Sequence, residues 1–261
     1  MMGSNDVVWQ DILSELTNSA AQISLKYFRQ QFVIDSKSNS TPVTIVDREI
    51  ELHLRKLINQ KFPEHQIIGE EFANQQSNSK YCWVIDPIDG TVAFSTGKPT
   101  FTTLIALLED GVPVASIIDQ PFLNERLIGI NNQETKLNNN VVRSSQEIAD
   151  IQSVRLNATT PYMFKTIDEQ SKFAKLQKQV KLTSFGGDAY AFGLLARGHI
   201  DVIMEADLQY YDVAALIPII EGAGGIISDW FGNKITQQFN GQCLASANIK
   251  LHEKVLELIN S

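Results

Sequence analysis

The sequence predicts a layered fold of mixed α+β and α/β character, in which helices cover a mainly antiparallel sheet and a second α/β layer follows. Three observations carry this. Apolar residues recur at helical spacing twice near the start, at Trp9, Ile12, Leu13, Leu16, Ala20, Ile23 and Tyr27, and again at Val46, Ile50, Leu54, Leu57 and Ile58. Two β-branched runs at 101–109 and 112–119 are joined by Asp110-Gly111, a strong hairpin signal. Beyond residue 150 strand-like and helix-like segments alternate, which argues for a second α/β layer.

Taken in order, the first helix frays near Phe32, and a polar loop occupies 36–40. Thr44 starts the second helix, which ends before Pro63. Residues 66–69 form a short strand that delivers Glu70 and Glu71 at its end, and 74–80 is a polar, structureless surface loop. A buried central strand follows, then the hairpin, then a strand at 127–130. Asn131, Asn132 and residues 138–140 mark turns. The second half reads as a strand at 151–156, helix 168–179, strand 180–184, helix 189–196 and strand 200–204. Helix 212–221, a short strand at 226–227 and a closing helix at 251–259 complete it. Pro218 conflicts with a continuous helix, so a kink or a late start is expected there.

Composition bounds the function. The 261 residues carry 43% hydrophobic side chains, enough for a sizeable core, and no linker long enough to separate independent domains. A net charge of -8 without a basic cluster argues against nucleic acid as partner. Cys82 and Cys243 lack metal-ligand spacing and read as reduced, buried thiols of a cytoplasmic protein. No apolar block with a cleavage site opens the chain, so no signal peptide is expected, and no apolar run approaches a membrane span.

The chain is organised around Trp83-Val84-Ile85-Asp86-Pro87-Ile88-Asp89-Gly90-Thr91. The run begins as a buried strand and breaks where two carboxylates bracket a proline. Pro87 restricts itself and Asp86, so the chain leaves the strand in a fixed direction. Gly90 allows close backbone approach to a ligand, and Thr91 suits the cap of a following helical turn. Hard oxygen ligands beside backbone N–H groups suit a divalent cation holding a phosphate, with the phosphate on the N–H groups of Gly90 and Thr91. A tight strand-to-helix turn capped by aspartates is the plainer alternative.

Further motifs stand in order around this stretch. Pro42-Val43-Thr44-Ile45-Val46-Asp47 and Ile67-Ile68-Gly69-Glu70-Glu71 precede it, and Glu205, Tyr211-Asp212-Val213-Ala214-Ala215 and Glu221-Gly222-Ala223-Gly224-Gly225 follow. The set resembles the inositol monophosphatase superfamily of magnesium-dependent, lithium-sensitive phosphomonoesterases. Ile118-Asp119-Gln120-Pro121, Asn124-Glu125-Arg126, Gly186-Gly187-Asp188-Ala189-Tyr190 and residues 195–201 look closest to its histidinol-phosphate phosphatase branch. The resemblance implies a single αβαβα sandwich domain over 1–261, with a metal-site half at about 1–140 and an α/β half at about 141–261, and a homodimer. It implies two or three magnesium ions. Glu70 and Asp86 would share one with the carbonyl of Ile88, while Asp86, Asp89 and Asp212 hold the second. Asp47 would pair with Thr91 as a relay that orients and deprotonates the attacking water, so Asp47, Thr91 and Glu70 are the catalytic candidates.

Each acid also has a simpler reading. Asp47 lies three residues after Thr44, as in a capping box; Asp212 precedes an apolar helix, as an N-cap does; Glu70 and Glu71 could be solvated loop acids. Acids crowded into one cleft repel, so raised pKa values are expected without cations. Substrate choice is expected from Gly187, Asp188 and Glu205, although Asp188 could cap the helix at 189. Two acids suit a cationic leaving group, which places histidinol phosphate, and hence histidine biosynthesis, ahead of inositol 1-phosphate or a broader range of sugar phosphates. Tyr211 stands where inositol-specific relatives commonly carry Trp. The expected activity is hydrolysis of a small phosphate monoester by metal-activated water, with no membrane partner. A non-catalytic, metal-binding regulatory role is the alternative from another class.

Overall fold

Helical apolar stripes and an alternating sheet pattern build the first layers. In the computed structural model, which describes residues 4–30, 34–36 and 42–261, helices α1 (Ser4–Tyr27) and α2 (Ile45–Lys61) run against each other. Their inward residues Leu13, Leu16, Ala20, Val46, Ile50, Leu54 and Ile58 are fully buried. Strands β1 (Ile34–Ser36) and β2 (Pro42–Thr44) pair antiparallel between them, where no strand was expected. The fraying near Phe32 falls outside the described residues, as does the loop expected at 36–40 apart from Ser36, which ends β1.

The first sheet keeps chain order: β3 (Gln66–Gly69), β4 (Tyr81–Asp89), β5 (Thr102–Glu109), β6 (Val112–Gln120), β7 (Glu125–Ile130), β8 (Lys136–Leu137) and β9 (Asn140–Val141). Only β3 and β4 pair parallel; every later neighbour is antiparallel. The hairpin between β5 and β6 turns at Asp110 and Gly111, both at positive φ (49° and 80°), as a two-residue turn matching strand twist requires. The short helix α3 (Thr91–Ser95) sits between β4 and β5.

The second half supplies β10 (Arg155–Ala158), α4 (Ile167–Gln177), β11 (Leu182–Phe185), α5 (Asp188–Ala196) and β12 (Val202–Glu205). It continues with α6 (Tyr210–Val213), α7 (Leu216–Gly222), β13 (Ile226–Ser228), β14 (Cys243–Ser246) and α8 (Ile249–Asn260). Its sheet runs β11-β10-β12-β14-β13, parallel among the first three strands and antiparallel at the other end.

The period-2 alternation of the strands sorts side chains into three cores and five layers. Trp83, Ile85, Ile105, Leu107 and Ile117 face α1 and α2. Cys82, Val84, Leu104, Ala106 and Leu127 face the other way and meet Phe192, Leu195, Leu216 and Ile219 of α5 and α7, with Ile203 and Ala245 of the second sheet closing that core. Leu156, Val202, Met204 and Leu244 point outward onto Phe173, Leu176, Leu251 and Val255 of α4 and α8. The order is therefore αβαβα, as expected. Each fully buried Leu, Ile or Phe in these cores stabilises the fold by roughly 1.5–3 kcal/mol relative to exposure.

The departures have local causes. The expected strand at 151–156 begins as a 3₁₀ turn, Ile151–Ser153, because Asp150 Oδ1 accepts the Gln152 N–H at 3.1 Å. The expected helix 212–221 is two helices, and Pro218 falls in the first turn of α7, where a missing N–H costs no hydrogen bond. Gln75, in the stretch read as structureless, exchanges backbone hydrogen bonds with Ile67 at 2.9 and 2.8 Å. Strand β14, four residues of small and apolar side chains with no periodicity to read, lies inside the second sheet.

The middle helix layer rests directly on the first sheet at Gly129, where an added Cβ would lie 2.6 Å from Pro218 C and Ile219 N. Those are backbone atoms and cannot step aside. Gly129→Ala should therefore lower stability by about 1–3 kcal/mol, read from the midpoint of equilibrium denaturation; an unchanged midpoint would contradict this close contact.

Candidate active site

The central strand loses its regularity at Pro87, and that irregularity makes the site. Residues 82–88 of β4 are buried between β3 and β5. On a regular strand, side chains three positions apart point to opposite faces. Here Asp86 pairs with Leu104 and Asp89 with Thr102, so β4 carries one extra residue between them. This bulge, around a proline that has no N–H for the ladder, returns both aspartates to one side. Thr103 Oγ1 holds the bulge by donating to the Pro87 carbonyl at 2.8 Å.

Asp212, from α6, joins them: Asp86, Asp89 and Asp212 place carboxylate oxygens within 4.8 Å of one another. Asp89 Oδ2 accepts the Ala189 N–H at 2.7 Å, across 100 residues of chain, and the Thr102 hydroxyl at 3.4 Å. Asp212 is not an N-cap. It is the third residue of α6, and its Oδ2 accepts the N–H of the preceding Gln209 at 2.7 Å, leaving the other oxygen for the cluster. Glu70, half-buried at the end of β3, stands outside this tight group, yet its charge bears on both Asp86 and Asp212.

Burial, then the charges of Glu70, Asp89, Asp212 and Asp47, holds Asp86 well above the usual carboxylate range. Asp89 is raised likewise by burial and by Asp188 and Asp212, against the Ala189 N–H. Burial pushes Asp212 up to about 7, opposed by the Gln209 N–H. Asp86 Oδ1 is buried with no hydrogen-bond partner among the described residues. An orphaned carboxyl oxygen inside a group of hard oxygen donors fits a divalent cation of the calcium or magnesium kind, which would favour its ionised form.

Gly90 takes a left-handed conformation (φ 77°) as the N-cap of α3, and a Cβ there would approach Asp188 Oδ2 to 3.1 Å. Thr91 is accordingly the first helical residue and not the cap expected of it; its hydroxyl donates to the Ile88 carbonyl at 3.2 Å. The Ile88 side chain is buried in the core under α1 and α2. Asp47 is buried on α2, close enough for its charge to reach Asp86. The Thr44 side chain, its expected capping partner, lies outside the described residues.

Asp188 and Glu205 come to the same place. With Asp89, Asp212, Thr159 and Phe192 they line a cavity of about 170 Å³. Gly187, at φ 107°, is the N-cap of α5, so Asp188 is not the cap; it takes a positive φ of 45°. Burial pushes Asp188 up to about 6, against the pull of Lys98, and Glu205 up to about 7, against its hydrogen bonds from Thr159. Those bonds, from the Thr159 N–H at 3.0 Å and hydroxyl at 2.6 Å to Glu205 Oε1, were not legible in the sequence. Also missed was Glu51, a buried acid on α2 whose carboxylate accepts the Glu71 N–H at 2.7 Å. An acid at inward helical spacing, four residues after Asp47, was the signal available.

His252 is buried between Ser228 and Ser246, and His65 stacks on Phe62. Cys82 and Cys243 are buried and free. Tyr210 and Tyr211 line a neighbouring cavity with Gly69 and Phe239, not the one holding Glu205. No helix is long and apolar enough to cross a membrane among the described residues.

The model of the inositol monophosphatase family matches residues 7–261. The chain is 39% identical over 251 residues to "Bifunctional phosphatase IMPL2, chloroplastic" of Arabidopsis thaliana, covering 93% of this chain and 72% of that protein. It is 32% identical over 250 residues to a histidinol-phosphatase of Chlorobaculum parvum, covering 95% of each. The solved structure of an inositol monophosphatase from Zymomonas mobilis superposes with a TM-score of 0.90 at 36% identity, over 100% of both chains.

The raised acids tie stability to pH. Asp212 and Glu205 titrate near 7 when folded but from 3.8 and 4.5 as free groups. Between about 4 and 7 the folded chain thus binds more protons than the unfolded one, and stability falls as pH rises through that window. The melting temperature of cation-free protein should therefore rise on acidification from pH 8 to 5.5, and with saturating magnesium the trend should reverse, because protons then compete with the cation. A flat cation-free profile would contradict the crowding of buried acids.

Proposed function

This chain belongs to the inositol monophosphatase family and is a metal-dependent phosphomonoesterase, and from that premise we propose that it is a magnesium enzyme preferring histidinol phosphate. The observation that carries the substrate is the pair of acids Asp188 and Glu205 in one cavity with Asp89 and Asp212. A leaving group bearing an ammonium and an imidazole gives both acids a charged partner in the cavity, whereas a neutral polyol offers them only hydroxyls. The name of the Chlorobaculum relative, a histidinol-phosphatase, supports the same reading.

Asp86, Asp89 and Asp212, with Glu70 and the Ile88 carbonyl, would hold two or three magnesium ions. When bound, these neutralise phosphoryl charge, acidify water and stabilise the leaving alkoxide. The N–H groups of Gly90 and Thr91 open α3, where the first helical N–H groups have no carbonyl to meet, and so receive phosphoryl oxygens. The Thr91 hydroxyl, which donates to the Ile88 carbonyl in this structure, turns toward Asp47 in the relay, and Asp47 takes the proton of the attacking water. Thr159 holds Glu205 in the rotamer that faces the cavity. The chain acts as a homodimer in the cytoplasm, a reducing setting that suits two buried free thiols. Lithium inhibition and a place in histidine biosynthesis accompany this reading.

Inositol 1-phosphate is the second candidate, favoured by the likeness to the Zymomonas structure. A purely regulatory role is disfavoured because binding alone has no use for the Asp47 and Thr91 pair.

A magnesium-dependent phosphate-release panel separates these. Histidinol phosphate should be cleaved with a kcat/KM at least about tenfold above inositol 1-phosphate and fructose 1,6-bisphosphate, a gap of about 1.4 kcal/mol. Equal rates would remove the ranking. Glu205→Gln should raise KM for histidinol phosphate while leaving that for inositol 1-phosphate nearly unchanged. Asp89→Asn should cost at least about 100-fold in activity, and full activity in that variant would refute the enzyme reading.

A further inference from the structure

We propose that Glu51 is a positioning residue that sets how tightly the site holds its divalent cation, by fastening the turn that carries Glu70. The proposal rests on the phosphatase reading above. Helix α2 presents Asp47 and Glu51 one turn apart, both among its buried residues. Glu51 is fully buried although acidic, and both of its oxygens are engaged. Oε1 accepts the Arg55 Nε–H at 2.8 Å, and Oε2 accepts the backbone N–H of Glu71 at 2.7 Å. Arg55 in turn donates from Nη2 to the Phe72 carbonyl at 3.2 Å. One carboxylate–guanidinium pair therefore grips the N–H of residue 71 and the C=O of residue 72.

Gly69 makes room for this clamp. A Cβ there would lie 2.1 Å from Glu51 Oε1 and 2.9 Å from Arg55 Nη2. The sequence Gly69-Glu70-Glu71 is thus read from both sides by α2: the glycine admits the carboxylate, and the peptide two residues on receives it.

The clamp has a cost that packing alone would not justify. Desolvating an ion pair is expensive, and apolar residues of similar volume often stabilise as well or better. What apolar residues cannot do is fix a peptide plane. The bond from the Glu71 N–H orients the peptide joining residues 70 and 71, and with it the direction in which Glu70 leaves the backbone. Glu70 is the charged group that bears most on Asp86. That peptide lies beyond the end of β3 at Gly69.

The test compares the full chain with Glu51→Gln and Arg55→Lys. Glutamine keeps the volume but offers one oxygen to two donors, so one of the two bonds must fail. Arg55→Lys leaves Glu51 in place and removes the planar fork that reaches both Glu51 and Phe72. Calorimetric titration with magnesium, and with manganese, should give dissociation constants at least about tenfold weaker for both variants. Their loss of phosphate release should be recovered by excess magnesium. Variants that bind both cations as tightly as the unaltered chain overturn the clamp, as does a loss of turnover that excess magnesium fails to restore. If Glu51→Gln does not fold, Arg55→Lys alone decides by the same two readings. Cation binding by the unaltered chain, with variants indistinguishable from it, refutes only the clamp. No cation binding by the unaltered chain refutes the phosphatase reading and the clamp together.

Discussion

The structure depends on holding like charges together in a buried cleft. Asp86, Asp89 and Asp212 meet within 4.8 Å, with Glu70, Asp188 and Glu205 near enough to add to the crowding. Such a group opposes folding, and it survives because backbone dipoles and three apolar cores hold its members. The Ala189 N–H on Asp89, the Gln209 N–H on Asp212 and the Thr159 N–H on Glu205 each give one carboxylate oxygen a fixed donor and leave the other without one among the described residues. A divalent cation held there would relieve the remaining repulsion, so that binding it and holding the fold together would become one free energy.

The layer order explains where the acids can meet. Strands β3 and β4 of the first sheet end beside the start of α5, the end of β12 and the short helix α6. Each contributes one or two side chains from a terminus, where the ladder or helix no longer dictates direction. The contact between Asp89 and Ala189 ties the first sheet to the start of α5 at the site itself. Asp89 of the first sheet, Asp188 of α5, Glu205 of the second sheet and Asp212 of α6 thereby share the wall of one cavity.

Much of this architecture was legible locally. Helical apolar spacing located α1 and α2, Asp110-Gly111 located the β5–β6 hairpin, and the alternation after residue 150 located the second layer. Several differences concern helix caps. Thr91 suits a cap, and capping is the simpler alternative for Asp188 and Asp212, yet the N-caps are Gly90 and Gly187, each one residue earlier, and Gln209, three residues before Asp212. Capping propensity is common to Ser, Thr, Asp, Asn and Gly, so composition alone does not say which of two adjacent residues stands at the boundary. Strand β14 was invisible because four residues hold too little periodicity to read.

By itself the sequence determined which elements form and which chemical groups are available, because helical and strand periods are local and the residue types of a hard-cation site are few. Asp86-Pro87-Ile88-Asp89-Gly90-Thr91 stood out on that basis alone. Only the tertiary structure decided how those groups meet. The single-residue bulge between Asp86 and Asp89 is a property of pairing with β5, not of either aspartate's neighbours. Glu51, four positions from Asp47 and paired locally with Arg55 as an ordinary helix acid would be, acquires its backbone partner Glu71 only when the turn after β3 is brought against α2. Hydrogen bonds that span 20 to 100 residues are set by the register of sheets and the stacking of layers. No local propensity encodes them.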